Sequence, residues 1–197
     1  MITTFHDQAY EYCSWEDCGQ DVFTLAKKII KSGEKFDRMI ALAKGGLSLS
    51  RALGDYLQIP QLSSLQIEFY TGIGETAKTP VITQSLPISV KGEKILIFDD
   101  ICDTGETLKL AVQYVGYHGA KSIKTASQIN KSWSRFKVDF TARETTAWFI
   151  FPHETRETIE LLTSIWAKKG DSPEEIKKQL LQIGLPKAAV EMFSQVK

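Results

Sequence analysis

The stretch Ile95-Leu96-Ile97-Phe98-Asp99-Asp100-Ile101-Cys102-Asp103-Thr104-Gly105-Glu106-Thr107-Leu108 is the most informative part of this 197-residue chain. The run over 94–98, which is apolar from Ile95 onward, is typical of a strand that is buried on both faces of a parallel sheet. Two adjacent carboxylates follow the run, and a Thr-Gly-x-Thr sequence then opens a predicted helix. Because ligands of open α/β sheets bind beyond the carboxyl ends of strands, the sequence predicts a ligand site here.

The chemistry of this stretch suits a phosphorylated sugar. A helix N-terminus offers backbone N–H groups and the positive end of a dipole to a phosphate. Gly105 allows close approach of the backbone, and the hydroxyls of Thr104 and Thr107 can donate as well. Asp99 and Asp100 can accept hydrogen bonds from a vicinal diol or hold a hydrated Mg²⁺. A capped helix preceded by two solvated acids is the alternative, but the features occur together, in register, after one buried strand.

The rest of the chain alternates short apolar runs with stretches of helical spacing. The predicted strands lie at 38–43, 62–70, 81–86, 94–98, 123–129 and 147–151. One helix is predicted to start at Ser14, and two others are predicted over 47–57 and 107–117. This alternation predicts an α/β fold with a largely parallel, twisted sheet flanked by helices. Further helices are predicted over 154–169, 173–183 and 186–196. We therefore expect a core over residues 1–155 and a C-terminal helical appendage over 156–197.

Composition narrows the class of protein. The 24 basic and 24 acidic residues give a formal net charge of zero, which argues against a main role in binding nucleic acid. No run reaches the roughly 18 apolar residues of a membrane span, and the N-terminus does not resemble a signal peptide. Cys13, Cys18 and Cys102 are expected to be reduced thiols. These features favour a cytoplasmic protein with no membrane partner.

The stretch 95–108 resembles the 5-phosphoribosyl-1-diphosphate (PRPP) signature of type I phosphoribosyltransferases, which is an apolar strand, two acids, two variable residues and Asp-Thr-Gly-x-Thr. The match has no gaps, and the resemblance extends over about residues 10–155. It implies that family's fold and Mg²⁺-dependent displacement of diphosphate from PRPP by a nitrogenous base. It places Asp99 and Asp100 on the ribose diol and the metal. It also implies a 5-phosphate site that consists of Asp103, Thr104, Gly105, Glu106 and Thr107. The carboxylate of Asp103 would in addition be catalytic, near the purine N7.

Two other segments match the family's pattern. Lys44-Gly45-Gly46 follows the predicted strand 38–43, where the diphosphate loop belongs, and the resemblance implies a cis peptide bond between Ala43 and Lys44. Taken alone, the motif would be an ordinary strand–helix turn. The loop 71–80 has the position of the family's mobile lid, with Tyr70, Thr71 and Gly72 at its start. Relatives often carry Ser-Tyr where this chain has Phe69-Tyr70, and a plain hairpin loop is the alternative.

The base-binding residues follow from a narrower resemblance, to bacterial xanthine–guanine and archaeal purine phosphoribosyltransferases. It implies that Lys131 donates to the purine O6 and N7, and that Trp148 and Phe149 lie at the base. An ammonium group suits the oxo group of guanine, xanthine or hypoxanthine and not the amine of adenine. A solvated lysine and a core tryptophan are the alternatives, and His153 departs from the aromatic residue often found there. We expect a homo-oligomeric enzyme of purine salvage; transfer to another base and a nucleotide-sensing regulator stay open.

Overall fold

A computed structural model describes residues 2–71 and 78–195, and contacts divide the chain into two compact units. The larger unit is Cys18–Thr145, and the smaller unit combines Met1–Asp17 with Thr146–Lys197. The strands are β1 Ile2–Phe5, β2 Gln8–Tyr12, β3 Arg38–Ala43, β4 Gln61–Thr71, β5 Lys78–Gln84, β6 Lys94–Cys102, β7 Ser122–Lys131, β8 Phe140–Thr145 and β9 Trp148–Ile150. The α-helices are α1 Trp15–Ser32, α2 Leu47–Tyr56, α3 Glu106–Tyr117, α4 Thr155–Lys168, α5 Pro173–Ile183 and α6 Lys187–Phe193.

The larger unit is built on a six-stranded sheet in the order β5-β4-β3-β6-β7-β8. The strands pair in parallel except for β5, which runs antiparallel to β4. Apolar side chains of β3, β4 and β6 form one buried cluster with those of α3, whose members include Ile40, Leu65, Ile97, Leu108 and Val115. The predicted α/β fold with a largely parallel sheet is confirmed.

Helix α1 begins where the sequence predicts. The Asp17 N–H donates to the Ser14 hydroxyl at 3.1 Å, as expected of an N-cap residue. Further along α1, Lys28 Nζ donates to the carbonyl oxygens of Thr141 and Ala142 at 2.7 and 3.0 Å. These bonds tie the helix to the edge strand β8.

The smaller unit has its own sheet and its own core. Strand β2 pairs antiparallel with β1 and parallel with β9, so that Tyr10 lies opposite Trp148. The predicted tail helices are α4, α5 and α6, and they bury Trp166 and Leu180 together with Tyr10 and Ile150. The N-terminal strands were not predicted, because β2 gains its parallel pairing from β9, which is distant in sequence, and β1 pairs only with β2. The compact units accordingly divide the chain after residues 17 and 145, whereas the sequence suggested a boundary after 155.

Two strands start or end several residues away from their predicted limits, and one strand was not predicted. Strand β6 continues through both acids to Cys102, because the neighbouring strand β7 pairs with it as far as Cys102↔Asn130. Residues 78–80 were predicted as loop and belong to β5, and β8 was not predicted at all. In each case a partner strand supplies the ladder hydrogen bonds, and the local sequence does not predict that pairing. None of the helices within 2–71 and 78–195 has the length and apolar character of a membrane span.

Candidate active site

Strands β3 and β6 are neighbours and end at the same edge of the sheet. The turn after β3 carries Lys44, Gly45 and Gly46, and the Ala43–Lys44 peptide bond is cis, as expected. A Cβ atom on Gly45 would overlap the carboxylate of Asp100, and one on Gly46 would lie 2.6 Å from the carbonyl oxygen of Phe98. Only glycine therefore lets this turn lie against the end of β6.

Asp99 and Asp100 form a carboxylate pair at that point. The Asp100 side chain is buried, with 4% exposure, and the Asp100 N–H donates to Asp99 Oδ1 at 3.0 Å. Burial and the charge of Asp100 raise the pKa of Asp99 well above its usual range, and hydrogen bonds from the backbone of Asp100 and Gly46 only partly oppose this. The alternative of two solvated acids is thus wrong for Asp100. Paired, partly desolvated carboxylate oxygens are a donor set that fits Mg²⁺, whose charge would offset their repulsion.

The loop after β6 turns into α3 at Gly105. Gly105 has a φ of +90° and is the N-cap residue of α3, and a side chain at this position would overlap that of Phe136. Both constraints call for glycine. Asp103 could have capped the helix, but its carboxylate lies elsewhere: it accepts a hydrogen bond from Trp133 Nε1 at 2.7 Å.

A cleft of about 800 Å³ opens in front of this loop. It brings together Asp99 and the whole predicted 5-phosphate site, Asp103, Thr104, Gly105, Glu106 and Thr107. Its other walls include Phe69 from β4 and two residues that sequence reasoning missed, Trp133 and Arg135. The turn of Lys44, Gly45 and Gly46 meets this site at Asp100, which Gly45 adjoins.

Lys131 is the last residue of β7 and is buried, with 5% exposure. Its Nζ lies 5.3 Å from the centroid of the Trp133 ring, within the range of a cation–π interaction. The alternative of a solvated loop lysine is therefore wrong.

Trp148 and Phe149 belong to β9 of the smaller unit. The Trp148 side chain is 38% exposed, so it is not a core residue, and it lies 6.0 Å from the ring of Tyr10. Phe149 is buried and packs edge-on against Phe151. The Phe149 side chain is thus committed to packing, and its role at the base stays a prediction from the resemblance.

The predicted lid lies mostly outside the described residues. Gly72 falls in the gap between 71 and 78, and Tyr70 and Thr71 are the last residues of β4, described for their backbone. On the other side of the gap, Lys78 pairs with Thr71.

Comparison with known proteins agrees with this geometry. A family model described as the phosphoribosyl transferase domain matches residues 9–158. The chain belongs to this family. It is therefore an enzyme of the phosphoribosyltransferase class, as the stretch 95–108 predicted.

The relatives of this phosphoribosyltransferase include several purine enzymes. A xanthine-guanine phosphoribosyltransferase of Gluconobacter oxydans is 24% identical over 74% of this chain and 85% of its own length. A hypoxanthine-guanine phosphoribosyltransferase of Aquifex aeolicus is 31% identical over 64% of this chain and 72% of its own. A purine phosphoribosyltransferase structure from Pyrococcus horikoshii is 32% identical, covers 73% of this chain and 93% of its own, and superposes with a TM-score of 0.65.

The two cleft residues of this phosphoribosyltransferase that were not predicted lie two and four positions after Lys131. Trp133 and Arg135 reach the cleft from a segment that has neither helical nor strand periodicity. The one available signal was their position, shortly after Lys131, which the family resemblance had singled out.

Proposed function

We propose that this enzyme transfers the phosphoribosyl group of PRPP to a 6-oxopurine (guanine, xanthine or hypoxanthine), giving the nucleoside monophosphate and diphosphate. The observation that carries the proposal is the Asp99–Asp100 pair, which adjoins Gly45 and leads into the loop at Gly105. Oxygen ligands for a ribose diol, a turn for the diphosphate and a helix N-terminus for the 5-phosphate thus follow one another along one sheet edge.

On the donor side, Asp99 and Asp100 would hold Mg²⁺ and the ribose hydroxyls. A bound Mg²⁺ supplies positive charge to the diphosphate, and the exposed Lys44 adds a second cation. The N–H groups at the start of α3, with Thr104 and Thr107, would hold the 5-phosphate. Fixing both ends of PRPP in this way would leave the anomeric carbon between them and open to the base.

On the acceptor side, the proposal rests on Lys131 and Asp103. The Lys131 ammonium is a donor suited to the 6-oxo group, and Asp103 would accept the proton near N7 as the base attacks. That Trp148 covers the ring of the base stays a prediction from the family resemblance. The substrates named for the Gluconobacter and Aquifex relatives, xanthine, guanine and hypoxanthine, support an oxopurine.

A panel of bases tests this proposal. Purified enzyme with PRPP and Mg²⁺ should form nucleoside monophosphate with at least one of guanine, xanthine and hypoxanthine, should not do so with adenine, and should stop when Mg²⁺ is chelated. Asp99→Asn combined with Asp100→Asn should abolish turnover. The control is Asp55→Asn, which changes a carboxylate 69% exposed on α2 and should leave the rate unchanged.

Two results would contradict the proposal. Retained turnover in the double variant would mean that the carboxylate pair does not hold PRPP. No turnover with any base, together with tight binding of nucleotide or RNA, would favour a regulator of the same fold.

A further inference from the structure

The segment 132–136, here called the strap, follows Lys131 and lies along residues 102–105, here called the phosphate loop. Ser134 Oγ is 3.2 Å from Cys102 Sγ, and the Arg135 N–H donates to the Thr104 carbonyl oxygen at 3.3 Å. The side chain of Phe136 fills the space beside Gly105. The strap therefore touches the phosphate loop at several successive residues.

Trp133 makes the contacts of chemical interest within the strap. Its indole Nε1–H donates to Asp103 Oδ1 at 2.7 Å, a short bond of the kind made to a charged acceptor. The face of the same ring lies 5.3 Å from Lys131 Nζ. One side chain thus contacts both residues that are proposed to handle the base.

We infer that Trp133 is a positioning residue for activation of the base, an inference that rests on the proposed function. Asp103 is exposed, and an exposed carboxylate samples several rotamers unless a partner fixes it. The indole N–H on Oδ1 fixes the plane of the carboxylate and leaves Oδ2 for the proton of the base. The ring face lies 5.3 Å from the Lys131 ammonium, so that the same side chain would keep the proton acceptor, Asp103, and the donor to the oxo group, Lys131, at a constant separation.

A purely structural role would predict something else. Trp133 is 51% exposed, so its ring contributes only part of its apolar surface to packing. If packing were its whole purpose, the loss of the N–H alone would have no effect on catalysis.

The Trp133→Phe variant separates the two roles, because it keeps an aromatic face for Lys131 and removes the N–H. We expect kcat to fall about tenfold while the KM for PRPP stays within about twofold. In an Asp103→Asn background, the same change should have no further effect on kcat. Trp15→Phe is the matched control, since its indole is 57% exposed, and it should leave kcat unchanged.

The indole N–H signal of Trp133 in ¹⁵N NMR provides a readout that does not depend on turnover. It should shift markedly in Asp103→Asn and stay in place in the Asp55→Asn variant. Any of three results would overturn this inference alone. The kcat of Trp133→Phe could equal that of the wild type, or the kcat losses of Trp133→Phe and Asp103→Asn could multiply in the double variant. The third result is an indole N–H signal of Trp133 that does not shift in Asp103→Asn. If the wild-type enzyme forms nucleotide with no base, that result contradicts the proposed function instead, and the contact between Trp133 and Asp103 then has no role in catalysis.

Discussion

Asp99 lies in the last part of strand β6 beside a second carboxylate, and burial and that neighbour raise its pKa well above the usual range. An acid whose pKa is raised by folding binds its proton more tightly in the folded chain. The free energy of unfolding therefore falls as the pH rises from about 4, the unfolded value, towards the folded pKa of Asp99. Above that folded pKa the cost is present in full, and a bound cation would reduce it.

This gives a prediction with a defined sign. Without Mg²⁺ and PRPP, Asp99→Asn should melt at a higher temperature than the wild type at pH 8, and the difference should shrink towards pH 4. Thermal unfolding across this pH range measures it. A lower Tm for Asp99→Asn at pH 8 would contradict the raised pKa.

Asp139 provides a control of opposite sign. Burial disfavours its ionised form, but hydrogen bonds from Lys124 and Thr125 outweigh burial and lower its pKa. Its stabilising effect is present at pH 8 and is lost as the pH falls through its folded pKa. Asp139→Asn should accordingly lower the Tm at pH 8, and this loss should diminish in acid.

At the scale of elements, the turn between β3 and α2 depends on glycine. Gly45→Ala would drive a methyl group into the Asp100 carboxylate, so the turn must move away from β6. We expect a loss of PRPP binding of about tenfold or more, measured by calorimetry, with destabilisation of about 1–3 kcal/mol. Gly19→Ala is the matched control: nothing lies within 4 Å of a Cβ there, and in the exposed face of α1 the change should stabilise the protein by about 0.5–1 kcal/mol. Equal PRPP affinity in the two variants would show that the turn does not shape the site.

The same elements mark how far the sequence alone could lead. Strand β3 was predicted at its observed bounds and α3 within one residue, because each carries its own periodicity and its own end signals. Strand β2 was missed, since its parallel partner β9 lies more than a hundred residues away. The acids and glycines of the site were found through their spacing. The hydrogen bond from Trp133 to Asp103 joins two side chains 30 residues apart, and no local sequence pattern predicts it.

At the scale of the whole molecule, the proposed PRPP site and the C-terminal helices rest on separate cores. The site is supported by the cluster that includes Ile40, Ile97 and Leu108 in the larger unit. The helices α4–α6 are supported by Trp166, Leu180 and their neighbours in the smaller unit. A cavity made in one core should therefore lower the local stability of that unit first.

Leu180→Ala tests this division. Leu180 is fully buried, and its truncation should cost about 2–5 kcal/mol through lost burial and a residual cavity. Hydrogen exchange should then accelerate across α4, α5 and α6, while Mg²⁺ and PRPP together still protect residues 95–108. Leu181→Ala changes the next residue, which is 42% exposed, and should stay within about 0.5 kcal/mol of the wild type. If Leu180→Ala also abolished the protection of 95–108 by PRPP, PRPP binding would depend on the smaller unit. The two cores would then be separate in packing but not in function.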